Sequence, residues 1–379
     1  MHIDASFDSG NIEVVTLGDE GQADLRIRKD VGDEHMQWFH FRVDGACGVD
    51  CELRLVNAGD ASYPHAWDGY QVCASTDREH WERVPTSYAE GVLTIHHRPS
   101  ADMQWYAYFA PYSYERHLDV LAECQHAEGA EIRRLGATVD GRDMHCVSAG
   151  EGALQYWVIG RQHPGESMAS WWMEGFLGRL LNPNDALARR LREVATVRVI
   201  PHMNPDGGVR GHLRCNAVGA NLNREWHEPT VERSPEVLHA RDAMDATGVD
   251  FCLDVHGDEA LPYNFLSGAE GTPGFEEGPL PALAEVFLSS YIRANPDMQR
   301  EHGYPISPPG TANLTMCTNA VSARFSCPAY TLEMPFKDNA DAPDEVQGWS
   351  PERCVELGAS ALDALFALAE EQAEQADEE

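Results

Sequence analysis

An α/β sheet flanked by helices, preceded by an all-β sandwich, is the fold class the sequence predicts. Three observations lead there. Residues 1–112 alternate apolar and polar side chains on a two-residue period between turn-rich segments, the pattern of half-buried strands. After residue 154 short apolar runs alternate with helical patterns, as in a sheet covered by helices. Two of those apolar runs end in a histidine, His163 and His256, and open α/β sheets place their sites at the carboxyl ends of strands.

The elements follow in order. In residues 36–43, Phe39, Phe41 and Val43 share one face; in residues 51–56, Cys51, Leu53 and Leu55 share one face while Glu52 and Arg54 share the other. Residues 70–74, 91–95 and 103–109 are further strands, and none of these segments carries evident catalytic chemistry. The period changes at Tyr114: residues 115–125 read as a helix and residues 131–148 as a hairpin turned at Asp140 and Gly141. Beyond it, helices are expected over residues 168–181, 187–193, 236–246, 283–293 and 352–371, and strands over 194–201, 250–255, 263–267 and 329–334. Residues 296–326 are rich in Pro, Gly, Ser, Thr and Asn and read as a long loop over a site. The domain division is therefore 1–112 and 113–379.

A chain of 379 residues with 43% hydrophobic content can build two full cores. Its formal net charge is −34, and Lys29 and Lys337 are the only lysines. No basic stripe exists to neutralise phosphates, so nucleic acid is excluded as a partner. No apolar run is long enough to span a membrane, and the N-terminus has no basic and apolar leader, so no membrane association or standard export is expected. The ten scattered cysteines read as reduced core residues of a cytoplasmic protein. Cys47 and Cys51 have metal-like spacing, but no second such pair accompanies them. Residues 370–379 read as an acidic helix end or tail. Oligomeric state is not legible.

The sharpest chemical signal is His163 with Glu166. An imidazole and a carboxylate three positions apart can face one cation where the backbone turns helically; the bland alternative is a histidine and a surface glutamate in a loop. A catalytic zinc usually takes three protein ligands, and His256 is the third candidate. Asn223 and Arg224 follow a glycine-bearing loop, with Arg214 ten positions earlier. Glu333 lies inside a β-type run, where a carboxylate is unusual unless it has work or a partner.

The ordered motifs HPGE at residues 163–166, NPDG at 204–207, NLNR at 221–224, DVHG at 254–257 and TLEMPF at 331–336 resemble the zinc metallocarboxypeptidases of the carboxypeptidase A superfamily. The likeness spans about residues 120 to 370. The N-terminal marks, at residues 41–45, 62–64, 67–70 and 108–113 with Arg116, are similar to the extra domain of the cytosolic carboxypeptidase branch, whose eukaryotic members remove glutamates from tubulin and other proteins. This resemblance implies a bacterial-type member with a carboxypeptidase-like mixed sheet. It implies one zinc ion per chain on His163, Glu166 and His256, activating water at neutral pH, with peptide or protein C-termini as substrates. Glu333 takes the place of the general base and Arg214 that of the transition-state arginine, a surface salt bridge being its alternative. Asn223 and Arg224 would clamp the terminal carboxylate, whose plane and charge a guanidinium fork matches.

The resemblance is not complete. Asn221 stands where many members carry an aspartate on the first zinc histidine; an amide accepts the same hydrogen bond without supplying charge. Residues 311–318 hold no tyrosine where carboxypeptidase A carries one, and neither Tyr304 nor Tyr330 is assigned a catalytic role. Arg324 is the nearest candidate for reading an acidic C-terminal side chain, with an ordinary loop arginine as the alternative. Two other functions stay open: a deacylase or amidase on N-acyl amino acids or cell-wall-like amides, and a non-catalytic zinc-dependent binding protein. Glu333 argues against the last, because a binding module needs no base.

Overall fold

The computed structural model describes residues 1–19, 21–276 and 278–378; of the acidic stretch 370–379, Glu379 lies outside the described residues. The N-terminal part holds two five-stranded sheets. One orders His2–Asp4, His40–Asp44, Met103–Ala107, Val72–Ser75 and Glu82–Val84; the other orders Glu13–Leu17, Gln22–Arg26, Cys51–Leu55, Val92–His97 and Thr86–Ala89. The strand expected over 36–43 begins only at His40. Side chains hold the preceding residues instead of a ladder: Trp38 Nε1 donates to the Ser9 carbonyl at 2.8 Å, and the Gln37 amide brackets the backbone of Tyr63.

The second part is a seven-stranded mixed sheet. Its centre is parallel, running Ala195–Ile200, Leu154–Gly160, Phe251–Asp258 and Ala329–Pro335. The flanks are antiparallel: Asp143–Ala149 and Ala130–Ala137 on one side, Phe265–Gly268 on the other. Strand alternation divides the side chains between two apolar clusters, as period two requires. Tyr156 and Val158 point to the face covered by helices Met168–Leu180, Leu280–Ala294 and Pro351–Glu378. Trp157 and Ile159 point to the face covered by Pro235–Thr247 and Cys317–Phe325. The last of these helices lies inside the stretch expected as loop: Cys317, Val321 and Phe325 are spaced four apart, and the flanking Ser and Thr masked that stripe.

The first cluster does not stop at the sheet. It continues without a break into the sandwich through Tyr108, whose ring stacks on Phe336 at 4.4 Å between centroids. Arg83 donates to the carbonyls of Phe336 and Trp349, and Arg116 makes a forked bond to Glu174 while lying 4.3 Å from the Trp171 ring. No helix among the described residues is long and apolar enough to cross a membrane.

Glu236, in the first turn of Pro235–Thr247, is fully buried, with Oε2 accepting from Asn216 and Oε1 without a partner. Burial pushes its carboxyl up to about 7. A folded-state value above the unfolded one means the folded chain binds the proton more tightly, so stability is full below the ordinary glutamate range and falls as pH rises through about 7. Glu236→Gln is therefore expected to melt a few degrees above the parent at mildly alkaline pH and level with it at mildly acidic pH, as thermal scans at the two pH values will show.

Candidate active site

The Leu154–Gly160 strand ends in a residue with unusual backbone geometry: Arg161 has φ 57° without being glycine, a strained conformation that survives only where surroundings enforce it. They do so here. Its buried guanidinium donates to the carbonyls of Pro164 at 3.0 Å and Tyr112 at 2.9 Å and to Ser170 Oγ at 3.1 Å. Burial lowers its pKa to about 10. This reversal throws residues 162–166 across the carboxyl end of the sheet before helix Met168–Leu180 begins.

His163, Glu166 and His256 converge there, all buried. His163 Nδ1 lies 2.7 Å from Glu166 Oε1, His256 Nδ1 lies 2.8 Å from Glu166 Oε2, and the two Nδ1 atoms are 3.1 Å apart. The far nitrogens are occupied: His163 Nε2 is 3.0 Å from Asn221 Oδ1, and His256 Nε2 is 2.9 Å from Asp254 Oδ2. Each imidazole can then donate outward and, when neutral, turn its Nδ1 lone pair inward, which is how a metal ligand is oriented. Gly257 completes the ring, its N–H reaching Glu166 Oε2 at 3.2 Å; a Cβ at this position would stand 2.5 Å from Met168 Sδ, so a larger residue would require the methionine side chain to move.

The electrostatics ask for a cation at this point. Burial and nearby Arg214 push His163 down to about 3, leaving it neutral. His256 is driven the other way: burial opposes its protonation, but Asp254 and Glu166 pull its pKa well above the usual histidine range. Burial likewise opposes ionisation of Glu166, yet the two imidazoles hold its carboxyl below the ordinary range. Two neutral-capable imidazoles and a carboxylate on one centre are a zinc donor set.

Glu333 lies opposite His256 in the parallel register, so both side chains project from the same sheet face. Its Oε1 is 3.2 Å from the Tyr304 hydroxyl; its Oε2 is buried with no partner. Burial first, then Glu166, Asp258 and Glu259, raises the carboxyl far above its ordinary value, against the pull of His256. Tyr304 also donates to Asp258. Glu259, buried with an unpartnered Oε1, is raised to about 8 by burial and by Glu166.

Arg214 lies near enough to feel Glu259, Glu166 and Glu333, Arg224 near enough to feel Arg214 and Tyr304, and both feel the hydroxyl of Tyr63. Tyr63 comes from the N-terminal part, in the loop just before the turn Pro64–Trp67, and the Arg214 guanidinium sits 5.9 Å from its ring. Asn223 is buried, its Oδ1 accepting the Cys317 N–H at 2.8 Å, which ties the clamp loop to the start of helix Cys317–Phe325.

Arg324 does not join them, which corrects the sequence expectation. It lies in the last turn of Cys317–Phe325, bonded through Nε and Nη2 to Asp245 on the neighbouring helix at 2.6 and 2.7 Å. A helix leading into a parallel strand runs back along the sheet, so its final turn stands at the strands' amino ends. Sequence reasoning also passed over Asp254, Tyr304, Tyr63 and Glu259. Asp254 carried a usable signal, since i and i+2 on a strand share a face with His256.

Against known families, residues 3–109 match the cytosolic carboxypeptidase N-terminal domain and residues 114–301 the zinc carboxypeptidases. A metallo-carboxypeptidase from Burkholderia cenocepacia is 44% identical, with a TM-score of 0.95 over 98% of this chain and 99% of its own. A metallo-carboxypeptidase from Pseudomonas aeruginosa, solved with (2-guanidinoethylmercapto)succinic acid, is 44% identical with a TM-score of 0.95 over 98% and 100% of the two chains. Human cytosolic carboxypeptidase 4 is 29% identical over 70% of this chain, which spans 28% of that protein's length. With its fold, its two matched regions and these full-length relatives, the chain belongs to the zinc carboxypeptidases, peptide hydrolases dependent on zinc, in the branch that carries the cytosolic carboxypeptidase N-terminal domain.

Proposed function

We propose that this hydrolase is a cytoplasmic carboxypeptidase that releases single residues from the C-termini of peptides or proteins, with Glu333 as general base. The observation that carries the reading is the unpartnered, buried Oε2 of Glu333 beside the His163, Glu166 and His256 cluster. Those three residues would hold a zinc ion, whose chemistry there would be Lewis acidity toward water and a carbonyl. Glu333 takes the attacking water's proton at Oε2 and returns it to the departing amine. Tyr304 holds Oε1, which keeps the other oxygen aimed into the cleft. Arg214 faces the carbonyl oxygen as negative charge grows on it. Arg224 and Asn223 hold the substrate's terminal carboxylate, which limits the reaction to chain ends. The succinic acid ligand of the Pseudomonas aeruginosa relative, with two carboxylates, suits a site that offers a metal and an arginine clamp. Free thiols at all ten cysteines support the reducing compartment.

The narrower proposal, a preference for C-terminal glutamate, rests on the likeness to the deglutamylating branch. Arg324, held by Asp245 on the neighbouring helix, is not the group that would favour it. A panel of peptides differing only in the last residue, read by mass spectrometry, tests both levels. Arg224→Ala is expected to weaken every peptide by roughly ten- to a hundredfold in kcat/KM, the scale of one charge-assisted hydrogen bond. Arg324→Ala is expected to leave the preference unchanged. Cleavage of N-acyl amino acids with peptides untouched would move the activity to the deacylase reading.

A further inference from the structure

A second set of metal-ligand side chains lies where the sandwich meets the loop that carries Arg214. Asp33 Oδ1, His35 Nδ1 and Cys215 Sγ lie within 4.8 Å of one another. The imidazole Nδ1 faces the Asp33 carboxylate on one side and stands 4.0 Å from the sulfur on the other. Cys215 is buried, while Asp33 and His35 are each about one-third exposed. The three residues come from chain segments 180 positions apart.

On the Cys215 side the backbone of this group is fixed by bonds that do not use the candidate ligands, while on the other side Asp33 Oδ1 also accepts the His35 N–H at 2.9 Å. The Asp30 carboxylate accepts the consecutive N–H groups of Leu213, Arg214 and Cys215 at 2.6, 2.7 and 2.8 Å. His212 closes the same joint, accepting from Val31 N at 3.1 Å on one ring nitrogen and donating to the Cys215 carbonyl at 3.0 Å from the other. Asp30 N donates to the His35 carbonyl at 2.8 Å. Thiol, imidazole and carboxylate are thereby held at one point without a hydrogen bond that needs all three.

We propose that Asp33, His35 and Cys215 form a second zinc site that staples the sandwich to the Arg214 loop. The donor set selects the ion class. A thiolate and an imidazole disfavour calcium and magnesium, which take oxygen ligands, and suit zinc. Three protein ligands leave a fourth position, which the exposed side of Asp33 and His35 opens to water. Binding removes the proton from the Cys215 thiol and releases it to solvent, leaving His35 neutral and Asp33 ionised. Because Cys215 directly follows Arg214, an ion here fixes the backbone from which that guanidinium reaches the cleft.

The test uses the full chain loaded with zinc, and separately with cobalt. Two zinc ions per chain are expected for the parent, one for Cys215→Ser, and one for His256→Ala. Cobalt-loaded parent and His256→Ala should both show a near-ultraviolet sulfur-to-cobalt charge-transfer band, because the His163, Glu166 and His256 set contains no sulfur. The band should vanish in Cys215→Ser, and Asp33→Asn, which keeps the thiol, should bind zinc at this site about tenfold or more weakly. One zinc per chain in the parent, no such band, or a band that survives Cys215→Ser would overturn the assignment. None of these readings depends on turnover, so they stand or fall apart from the catalytic proposal.

Discussion

Replacing His256 by alanine is expected to remove one equivalent of zinc per chain and to reduce peptide hydrolysis by more than a hundredfold. Loss of an outer partner of a metal ligand alone lowers affinity or activity by roughly ten- to a hundredfold, and losing the ligand exceeds that. The substitution also leaves Asp254 and Glu166 buried without the imidazole that lies 2.9 and 2.8 Å from their oxygens. Stranding one side of a buried charge pair costs about 3–5 kcal/mol, so a lower melting temperature should accompany the loss. Asp254→Asn separates the two effects, since it keeps the ligand and removes only the charge behind it. Its zinc affinity should fall by about ten- to a hundredfold with the fold intact. Elemental analysis after dialysis checks both variants; zinc retained at parental stoichiometry in His256→Ala would remove this residue from the ligand set.

Glu333→Gln should behave in the opposite way, keeping zinc and fold while lowering kcat by about 10²–10⁴-fold, the range for losing a positioned base. The amide preserves shape, and its oxygen can still accept the Tyr304 hydroxyl bond now made to Oε1. It cannot accept a proton from water. Burial raises the Glu333 carboxyl strongly, so in the metal-free protein the neutral amide should be at least as stable as the parent at neutral pH. KM should move little, because Glu333 does not hold the terminal carboxylate. Turnover within a few-fold of the parent would make Glu333 a structural carboxylate and return the base to an unassigned group.

The sequence disclosed the parts of the site that sit at regular places. His163, Glu166 and His256 come at or just past the ends of apolar runs and Glu333 lies inside one, and strand periodicity converts such positions into neighbours across a sheet. Tyr304 and Tyr63 gave no comparable signal: one arrives on a loop 29 residues before Glu333, the other on a loop of the N-terminal part, and only long-range packing brings them in. Arg324 was misplaced because proximity along the chain was taken for proximity in space. Helix direction carries it to the far end of the sheet, where Asp245 holds it. The short edge strands such as Glu82–Val84 were missed because three residues carry too little period to read.

The uninterrupted apolar cluster beneath Tyr108 and Phe336 bears on how such an enzyme can diversify. A module joined through a polar seam can be exchanged between genes and leave its neighbour working. Here the cut would pass through interior packing, exposing Phe336 and Trp349 on one fragment and Tyr108 and Phe109 on the other. Selection is therefore confined to changing the two parts together, residue by residue along their shared boundary. New substrates would be acquired through the loops that carry Tyr63, Arg214 and Tyr304, one of which the N-terminal part supplies, while its sheets stay as permanent masonry rather than an interchangeable attachment.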